Sequence, residues 1–373
     1  MSMTFCAPCI FGLEGFCANE FRFLGLQNVR AENGRVLFDG GFADMARANI
    51  NSRYAERIQI LLSEFRAVTF DQLFENVRKI NWADFIGMSD AFPVKGSCLN
   101  SKLMSVPDCQ KIVKKAVVKS LSERYMLSWF EETGAVRQIQ FRIMNDKVSV
   151  MLDTSGAGLH KRGYRAKSND APIKETLAAA MAEMAGVRAN HFVIDPMCGS
   201  GTILIEAAMK ALKIAPGLSR SFACERWSCV PKDIFEAERE RAKSIINTDC
   251  AFRAEGFDID EAALSVAKSN AEQAGVADRI TFTTRDIKDF ELPDGYCTVI
   301  TNPPYGERLL DIKSAEELYA VMGERFDRVD GKRYAIITPD DDFEKIFGRK
   351  ADKRRKTYNG TLKCQIYLFT SFT

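Results

Sequence analysis

Two stretches of this chain carry residues that could bind a nucleotide-like cofactor and act on a planar nitrogen. The first, residues 193–202, reads V-I-D-P-M-C-G-S-G-T and is followed by apolar residues at helical spacing. This order predicts a strand, a glycine loop and a helix, in which Gly199 and Gly201 let the backbone turn sharply and a ligand approach closely. A nucleotide-cofactor site is therefore predicted, but NAD is disfavoured because Leu204 replaces the third small residue of the dinucleotide fingerprint.

The second stretch, residues 299–305, reads V-I-T-N-P-P-Y. Asn302 offers a side-chain carbonyl, Pro303 a main-chain carbonyl with no N–H on the following Pro304, and Tyr305 an aromatic ring. Together these groups suit a planar, amide-like nitrogen. Because each stretch is a short apolar run that ends in polar residues, we expect two buried parallel strands that meet at the carboxyl edge of one sheet.

Further along the chain, an acidic residue at the end of another apolar run could complete this site. Asp258 follows Gly201 by far more than the roughly 20 residues that separate the glycines from the ribose acid in a minimal nucleotide-binding unit, so an insertion is predicted between them. A carboxylate can accept from two adjacent hydroxyls, which makes Asp258 the candidate for a ribose. Asp260 is better placed to cap the helix predicted over residues 261–274.

With these motifs the chain resembles the class I S-adenosylmethionine-dependent methyltransferases that modify exocyclic or amide nitrogens, over residues 156–373. Three motifs in this order, D-P-M-C-G-S-G-T, the insert A-P-G-L-S-R-S-F-A-C-E-R-W and N-P-P-Y-G-E-R-L, resemble the THUMP-domain RNA guanine-N2 methyltransferases. The resemblance implies an α/β, Rossmann-like methyltransferase domain with S-adenosylmethionine as cofactor and no metal. It implies cofactor binding by Asp195, Pro196, Cys198, Gly199, Gly201, Thr202, Asp258, Ile259, Asp286, Ile287 and Asn302. Catalysis is implied at Asn302, Pro303, Pro304 and Tyr305.

The first third of the chain has weaker motifs and reads as an α+β region. Strands are predicted over residues 5–13, 34–38 and 91–98, a hairpin over residues 138–144 and 147–152, and helices over residues 14–24 and 107–125. Residues 42–50, 53–65 and 70–80 could form helices or mixed segments. This arrangement resembles a ferredoxin-like domain over residues 1–64 and a THUMP RNA-binding domain over residues 65–155. The methyltransferase domain would follow over residues 156–373.

Composition indicates a globular chain of two or three compact units, with 373 residues, 46% hydrophobic and 27% charged. No apolar run reaches the ~20 residues of a membrane span, and no secretory signal pattern precedes the first predicted strand, so a cytoplasmic protein without a membrane partner is expected. The eleven cysteines are predicted to be reduced thiols. Cys6 and Cys9, and likewise Cys224 and Cys229, are better explained as apolar residues than as metal ligands.

Positive charge is concentrated in three places, each with two interpretations. The segment from Lys95 to Arg124 contains seven basic residues and only two acidic ones. Lys111, Lys114, Lys115 and Lys119 recur at a spacing that puts them on one helix face, which could contact RNA phosphates or simply be solvated. Arg162, Tyr164 and Arg165 could reach substrate phosphate or the cofactor edge, or they could lock the two halves of the chain together. The basic residues 349–356 could contact RNA or solvate a hairpin.

The functional hypothesis is methyl transfer to the exocyclic N2 of a guanine. Asn302 and the Pro303 carbonyl would accept from the amino group and Tyr305 would stack on the base, without a covalent enzyme intermediate. The resemblance favours 23S rRNA, with tRNA as the alternative RNA substrate. A protein glutamine side chain, and less so the N6 of DNA adenine, could use the same motif. A catalytically silent RNA-binding protein is disfavoured because Asp195, Asp258 and Asp286 accompany an intact N-P-P-Y, and the oligomeric state stays open.

Overall fold

The N-terminal half of the chain builds one continuous sheet in the computed structural model, which describes residues 2–165, 173–305, 312–326 and 330–370. Its elements, in chain order, are β1 (Met3–Pro8), α1 (Glu14–Phe23), β2 (Gln27–Glu32), β3 (Arg35–Gly40), α2 (Phe42–Asn51), β4 (Gln59–Arg66), α3 (Phe70–Arg78), a 3-10 turn (Trp82–Asp84), β5 (Val94–Leu99), α4 (Val106–Tyr125), β6 (Ile139–Met144) and β7 (Lys147–Asp153). The strand order is β2-β3-β1-β4-β7-β6-β5.

Strand β4 joins the two parts of this sheet. It pairs with β1 on one side and with β7 on the other. The sequence left this segment as helical or mixed because its isolated pattern is ambiguous, and pairing on both sides makes it a strand. The prediction of a boundary between residues 64 and 65 falls inside β4. Strand β2 was not predicted, whereas the hairpin of β6 and β7 and the long helix α4 were.

The C-terminal half forms a second sheet that is mainly parallel. Its elements are α5 (Glu175–Met184), β8 (Phe192–Asp195), α6 (Thr202–Ala211), a 3-10 turn (Ala223–Arg226), α7 (Asp233–Ser244), β9 (Arg253–Asp258), α8 (Glu261–Gln273), 3-10 turns at Ala277–Arg279 and Ile287–Asp289, β10 (Ile280–Thr284), β11 (Cys297–Thr301), α9 (Ile312–Arg325), β12 (Lys332–Thr338), α10 (Phe343–Ile346), β13 (Lys353–Asn359) and β14 (Leu362–Phe369). Asp170 and Pro172, which could have started the helix before β8, lie outside the described residues.

The strand order β10-β9-β8-β11-β12-β14-β13 creates the crevice in which the site lies. Strands β8 to β12 run parallel, and β14 and β13 are added antiparallel. From β8 the chain builds outward first through β9 and β10, and then on the other side through β11 and β12. Ligands of open α/β sheets bind beyond the strand ends at such a switch point.

The two halves pack against each other through polar contacts as well as apolar ones. Arg53, after α2, donates to the main-chain oxygens of Met209 and Ile214 at the end of α6. Asn51 donates to Glu238 of α7 at 2.7 Å, and the Trp227 indole donates to the Val136 carbonyl at 3.1 Å. These buried bonds orient the N-terminal sheet relative to the methyltransferase-like half. No helix among the described residues is long and apolar enough to span a membrane.

Candidate active site

The loop between β8 and α6 contains two glycines that serve different purposes. Gly199 and Gly201 have φ angles of 51° and 75°, in the left-handed region that favours glycine. A Cβ at Gly199 would meet nothing within 4 Å, so this position leaves the loop backbone open to a ligand. A Cβ at Gly201 would instead lie 3.1 Å from both Ala267 of α8 and Phe282 of β10. Gly201 is therefore needed for the close packing of the loop.

A cavity of 880 Å³ lies beyond the carboxyl ends of β8, β9, β10 and β11. All the residues predicted to bind the cofactor line this cavity except Gly201, whose role in cofactor binding stays a prediction. Sequence reasoning missed other lining residues, namely Ile173, Met197, Ser200, Ile203, Asp260, Ala263, Arg285, Lys288, Pro304, Ser314, Glu317, Leu318 and Val321. Pro304 was expected as a catalytic residue only. No sequence pattern around the α9 residues indicated a place in the cavity, because only the fold brings that helix over the crevice.

Asp258 organises the floor of the cavity. Its Oδ2 accepts from the Gly199 N–H at 2.8 Å, and its Oδ1 accepts from the Asp260 N–H at 3.0 Å. The Asp260 carboxylate accepts from the Ala262 N–H at 2.8 Å and caps α8, as the sequence predicted. A carboxylate offers about four acceptor positions, so Asp258 keeps capacity for ligand hydroxyls while it holds the glycine loop.

Asp195, at the end of β8, is a buried carboxyl beside Asp258. It is 1% exposed, and its Oδ1 accepts from the Met197 N–H at 3.2 Å. The pKa of Asp195 is raised to about 7, mainly by burial and also by the Asp258 charge, while hydrogen bonds from Thr301 and the Met197 N–H oppose the rise. Around neutral pH this carboxyl therefore changes charge inside the cavity.

We expect Asp195 to make stability depend on pH. Its folded pKa lies above the ordinary value near 3.9, so its stabilising contribution is complete below about pH 4 and is lost as pH rises towards 7. Asp195→Asn keeps an acceptor for Met197 but does not titrate, so the variant should lose less stability between about pH 5 and pH 8. Thermal unfolding of the ligand-free protein at both pH values measures this.

Glu20 provides an independent second case of that prediction, because burial also raises its pKa to about 7 and it lies in the N-terminal half. Glu20→Gln should flatten the profile in the same direction, and the two effects should add because the sites are separate. An Asp195→Asn profile that superposes on the wild-type profile would contradict the prediction.

Asn302 lies at the end of β11 and lines the cavity, and its side-chain carbonyl is buried. No donor among the described residues reaches its buried Oδ1. Leaving such an acceptor unpaired costs about 1–3 kcal/mol, so its place in a ligand cavity favours a donor supplied by the substrate. Pro303 is buried, and Pro304 lines the cavity beside Asn302.

Tyr305 is anchored from behind the site. Its hydroxyl accepts from the Asn359 side-chain amide at 2.9 Å, at the end of β13, and its ring packs on the main core. Burial raises the pKa of this phenol, so it stays protonated. Tyr305 does not line the cavity, and residues 306–309, the rest of the N-P-P-Y-G-E-R-L motif, lie outside the described residues.

Arg162 corrects one prediction of RNA contact. Only 3% of it is exposed, and its guanidinium pairs with Glu206 of α6 at 3.3 Å and donates to the carbonyls of Leu159 and Arg53. Tyr164 is also buried and donates to Glu206 at 3.0 Å. Because no phosphate can reach these groups, the other interpretation holds and they lock the two halves together.

Arg165 reaches the edge of the cofactor cavity rather than the protein surface. Its Nη2 donates to Thr202 Oγ1 at 2.6 Å and to the Ile173 carbonyl at 3.1 Å, and its Nη1 lies 3.5 Å from Glu175. Thr202 is the first residue of α6, directly after the glycine loop. Arg165 therefore ties that loop to α5, and its side chain is 15% exposed.

The lysines of α4 do not form one free cationic face. Lys114 pairs with Glu132 and lies 3.5 Å from the centroid of the Phe92 ring. Lys111 lies 3.6 Å from Asp108 and Lys119 lies 3.2 Å from Glu123, whereas Lys115 is exposed. RNA contact by Lys111, Lys115 and Lys119 stays a prediction, and the contacts of Lys114 disfavour it.

All eleven cysteines are free thiols, and most of them are buried, including Cys6, Cys9 and Cys224. Cys229, the partner of Cys224 in the sequence pattern, is half-buried. Within the described part of the chain, no group of three or more His, Cys, Asp or Glu side chains is arranged to hold a metal ion.

Comparison with proteins of similar sequence assigns the chain to known domains. Residues 162–367 match the family UPF0020, described as the RMKL-like methyltransferase domain. Residues 4–59 match the RlmL ferredoxin-like domain, and residues 67–153 match the THUMP domain. YpsC of Bacillus subtilis (strain 168), named as a candidate RNA methyltransferase, is 41% identical over 99% of this chain and 96% of its own length.

A second relative is longer. The ribosomal RNA large subunit methyltransferase K/L of Shewanella amazonensis is 33% identical over 96% of this chain but only 52% of its own length. The chain therefore spans about half of this relative, while it spans nearly all of YpsC.

Solved structures of the same fold agree with these matches. SMU.472, described as a candidate methyltransferase complexed with SAH, superposes with a TM-score of 0.92 at 39% identity, covering 99% of this chain and 98% of that one. A Listeria monocytogenes protein named by prediction as an N6-adenine-specific DNA methylase has a TM-score of 0.92 at 41% identity, with 100% and 97% covered. The domain matches decide the assignment. This chain belongs to the RNA methyltransferase family that joins an RlmL ferredoxin-like domain, a THUMP domain and an RMKL-like methyltransferase domain.

Proposed function

We propose that this protein transfers a methyl group from S-adenosylmethionine to the exocyclic N2 of a guanine in large-subunit (23S) rRNA. The observation that carries the proposal is that Asn302 lines the same cavity as the glycine loop and keeps a buried Oδ1 that meets no donor among the described residues. An amino group of a planar base supplies the missing donor.

The cavity residues fit S-adenosylmethionine, and SMU.472 was crystallised with SAH, the product form of that cofactor. Asp258 would accept from the ribose hydroxyls, since it already lies against the Gly199 N–H and has acceptor capacity left. Asp286 and the buried Ile287 line the wall where the adenine would bind, with Ile259 exposed at its rim. The bound cofactor supplies an electrophilic methyl group.

The chain's own residues would activate and align the nucleophile. The lone pair of a guanine amino group is delocalised into the ring, so the nitrogen is a poor nucleophile until acceptors bind its N–H groups. Asn302 Oδ1 and the Pro303 carbonyl would accept these hydrogens and point the nitrogen into the cavity. Tyr305 lies outside the cavity lining and would stack on the part of the extruded base that stays outside the cavity, which offsets part of the few kcal/mol that extrusion costs. Alignment for in-line displacement is then the main source of rate.

The substrate class rests on the N-terminal half and on the named relatives. The THUMP match and the K/L relative favour large-subunit rRNA, and tRNA is the alternative RNA. A DNA adenine or a protein glutamine could present a similar nitrogen to Asn302, and one structural relative carries a DNA methylase name. A THUMP domain before the catalytic half favours RNA over both.

The test is transfer of labelled methyl groups from S-adenosylmethionine to RNA from a strain that lacks the gene. We expect label in large-subunit rRNA, recovered as N2-methylguanosine after digestion. Label in tRNA would keep the chemistry and replace the substrate. Label only in DNA or in protein would overturn the proposal.

Asp258→Ala should weaken cofactor binding about 10- to 100-fold. The change removes a charged acceptor for the ribose and the bond to Gly199 N–H, and one hydrogen bond to a charged group contributes ~1.5–3 kcal/mol. Titration calorimetry with SAH measures the affinity. Asp260→Asn is the matched control, because this change preserves the helix cap and should leave affinity within a few-fold. Equal affinities of Asp258→Ala and wild type would reject the role.

A further inference from the structure

The outer face of the N-terminal sheet carries a groove that the chemistry described above does not use. Its volume is 710 Å³, and residues from β1, β3, β5 and β6 line it. Cys6 of β1 lines the groove, while its neighbour Phe5 belongs to the core under the helices. Because successive side chains of a strand point to opposite faces, the groove lies on the side away from α1, α3 and α4.

Three basic side chains line the groove, and one of them, Arg35, pairs with Glu32 and Glu64, whereas the other two have no acidic partner in the described part of the chain. Lys95 and Arg142 line it, and neither forms an ion pair with a carboxylate of the described residues. This differs from α4, where Lys111 and Lys119 have acidic partners. A polyanion gains more from cations that have no partner, because no existing ion pair must be broken.

Strand β13 connects this groove to the catalytic loop. It reads K-R-R-K-T-Y-N and pairs with β14 in a continuous antiparallel register, so Lys353, Arg355 and Asn359 share one face. Arg355 donates to the Gly12 carbonyl at 2.9 Å, beside the Phe11 that lines the groove. Asn359 donates to the Tyr305 hydroxyl. Asn359 lies four positions after Arg355, a distance of about 13 Å along the strand.

We propose that the substrate RNA runs along the outer face of the N-terminal sheet and then along this face of β13, which together deliver the target nucleotide to Asn302. We call this surface the basic track and define it by Lys95, Arg142, Lys353 and Arg355. The inference rests on the proposed function, since it names the path by which RNA reaches that site. Phe11, which is 51% exposed, offers a ring on which a base can stack between the two parts of the track.

The charges of β13 have another conceivable role. It is an edge strand, and lysines on an edge prevent pairing with the edge of another molecule. That role concerns β13 alone and does not account for the unpaired Lys95 and Arg142 on a different sheet. It also predicts no change in RNA affinity when these charges are reversed.

The test is RNA binding by Lys95→Glu/Lys353→Glu, which changes one exposed lysine at each end of the track. The probe is a 23S rRNA transcript, and its affinity is measured over a series of salt concentrations. The variant should contact two fewer phosphates and release fewer counterions. The slope of log affinity against log salt concentration should therefore become less steep by about 1.4 for single-stranded RNA, and affinity at low salt should fall at least ~10-fold. The control Lys232→Glu/Lys268→Glu makes the same change in net charge at exposed lysines outside the track and should bind like wild type.

An unchanged slope in the track variant, or an equal loss in the control, would overturn the inference. Ultraviolet cross-linking of the wild-type complex provides a second measurement that needs no variant. Cross-linked peptides should include Phe11 or Lys95, and cross-links confined to α4 would reject the track. Formation of N2-methylguanosine is measured separately. If the basic track binds RNA but no N2-methylguanosine forms, the proposed function is contradicted and the RNA path is not.

Discussion

Replacing Asn302 by alanine should lower the turnover number about 100- to 1000-fold while cofactor affinity stays within a few-fold. Its Oδ1 is the buried acceptor without a donor among the described residues, so alanine removes the group that would bind the reacting amino group. The expected size matches the loss caused by removing one preorganised hydrogen-bonding group from an active site. Single-turnover methyl transfer to the rRNA transcript gives the rate, and calorimetry with SAH gives the affinity.

Two controls make this result specific. Asn302→Ala should unfold at or above the wild-type temperature, because it removes a buried acceptor that has no donor among the described residues. Asn302→Gln keeps the amide but moves it by one methylene, and it should also lose most activity if alignment is what matters. A turnover number for Asn302→Ala within tenfold of wild type would show that another group orients the amino nitrogen.

Replacing Arg162 by methionine should destabilise the protein by about 3–5 kcal/mol. The exposed fractions of the Arg162 and Glu206 side chains are 1% and 0%, so the variant leaves a buried carboxylate without its cation. Arg162 also donates to the Arg53 carbonyl in the N-terminal half, and that bond between the halves would be lost. Urea unfolding, followed by a probe in each half, measures the loss of stability.

The double variant Arg162→Met/Glu206→Gln separates the loss of the charge pair from the loss of packing. It removes the buried charge and still lets Tyr164 donate to residue 206, so it should recover much of the lost stability. Loss of RNA affinity in a folded Arg162→Met protein, with stability unchanged, would instead restore the interpretation that this arginine contacts RNA.

The sequence by itself determined the catalytic half in considerable detail. The strand, glycine loop and helix around Gly199, the end of β11 and the cap at Asp260 were all predicted where the structure has them. These features have local causes. A positive φ needs glycine, a helix start needs a capping side chain, and a buried parallel strand needs a continuous apolar run. Information of this kind lies within a few residues of the feature that it specifies.

Only the tertiary structure decided which charges face solvent and which elements meet. Arg162 and Glu206 are 44 residues apart, and nothing near either one shows that they bury each other. The packing requirement at Gly201 was also invisible, because it comes from Ala267 and Phe282, which are far along the chain. The α9 wall of the cavity, the continuity of the first sheet through β4 and the contact of Arg355 with Gly12 arise in the same way. Burial and strand pairing join residues that are distant in the chain, and local patterns do not encode those partners.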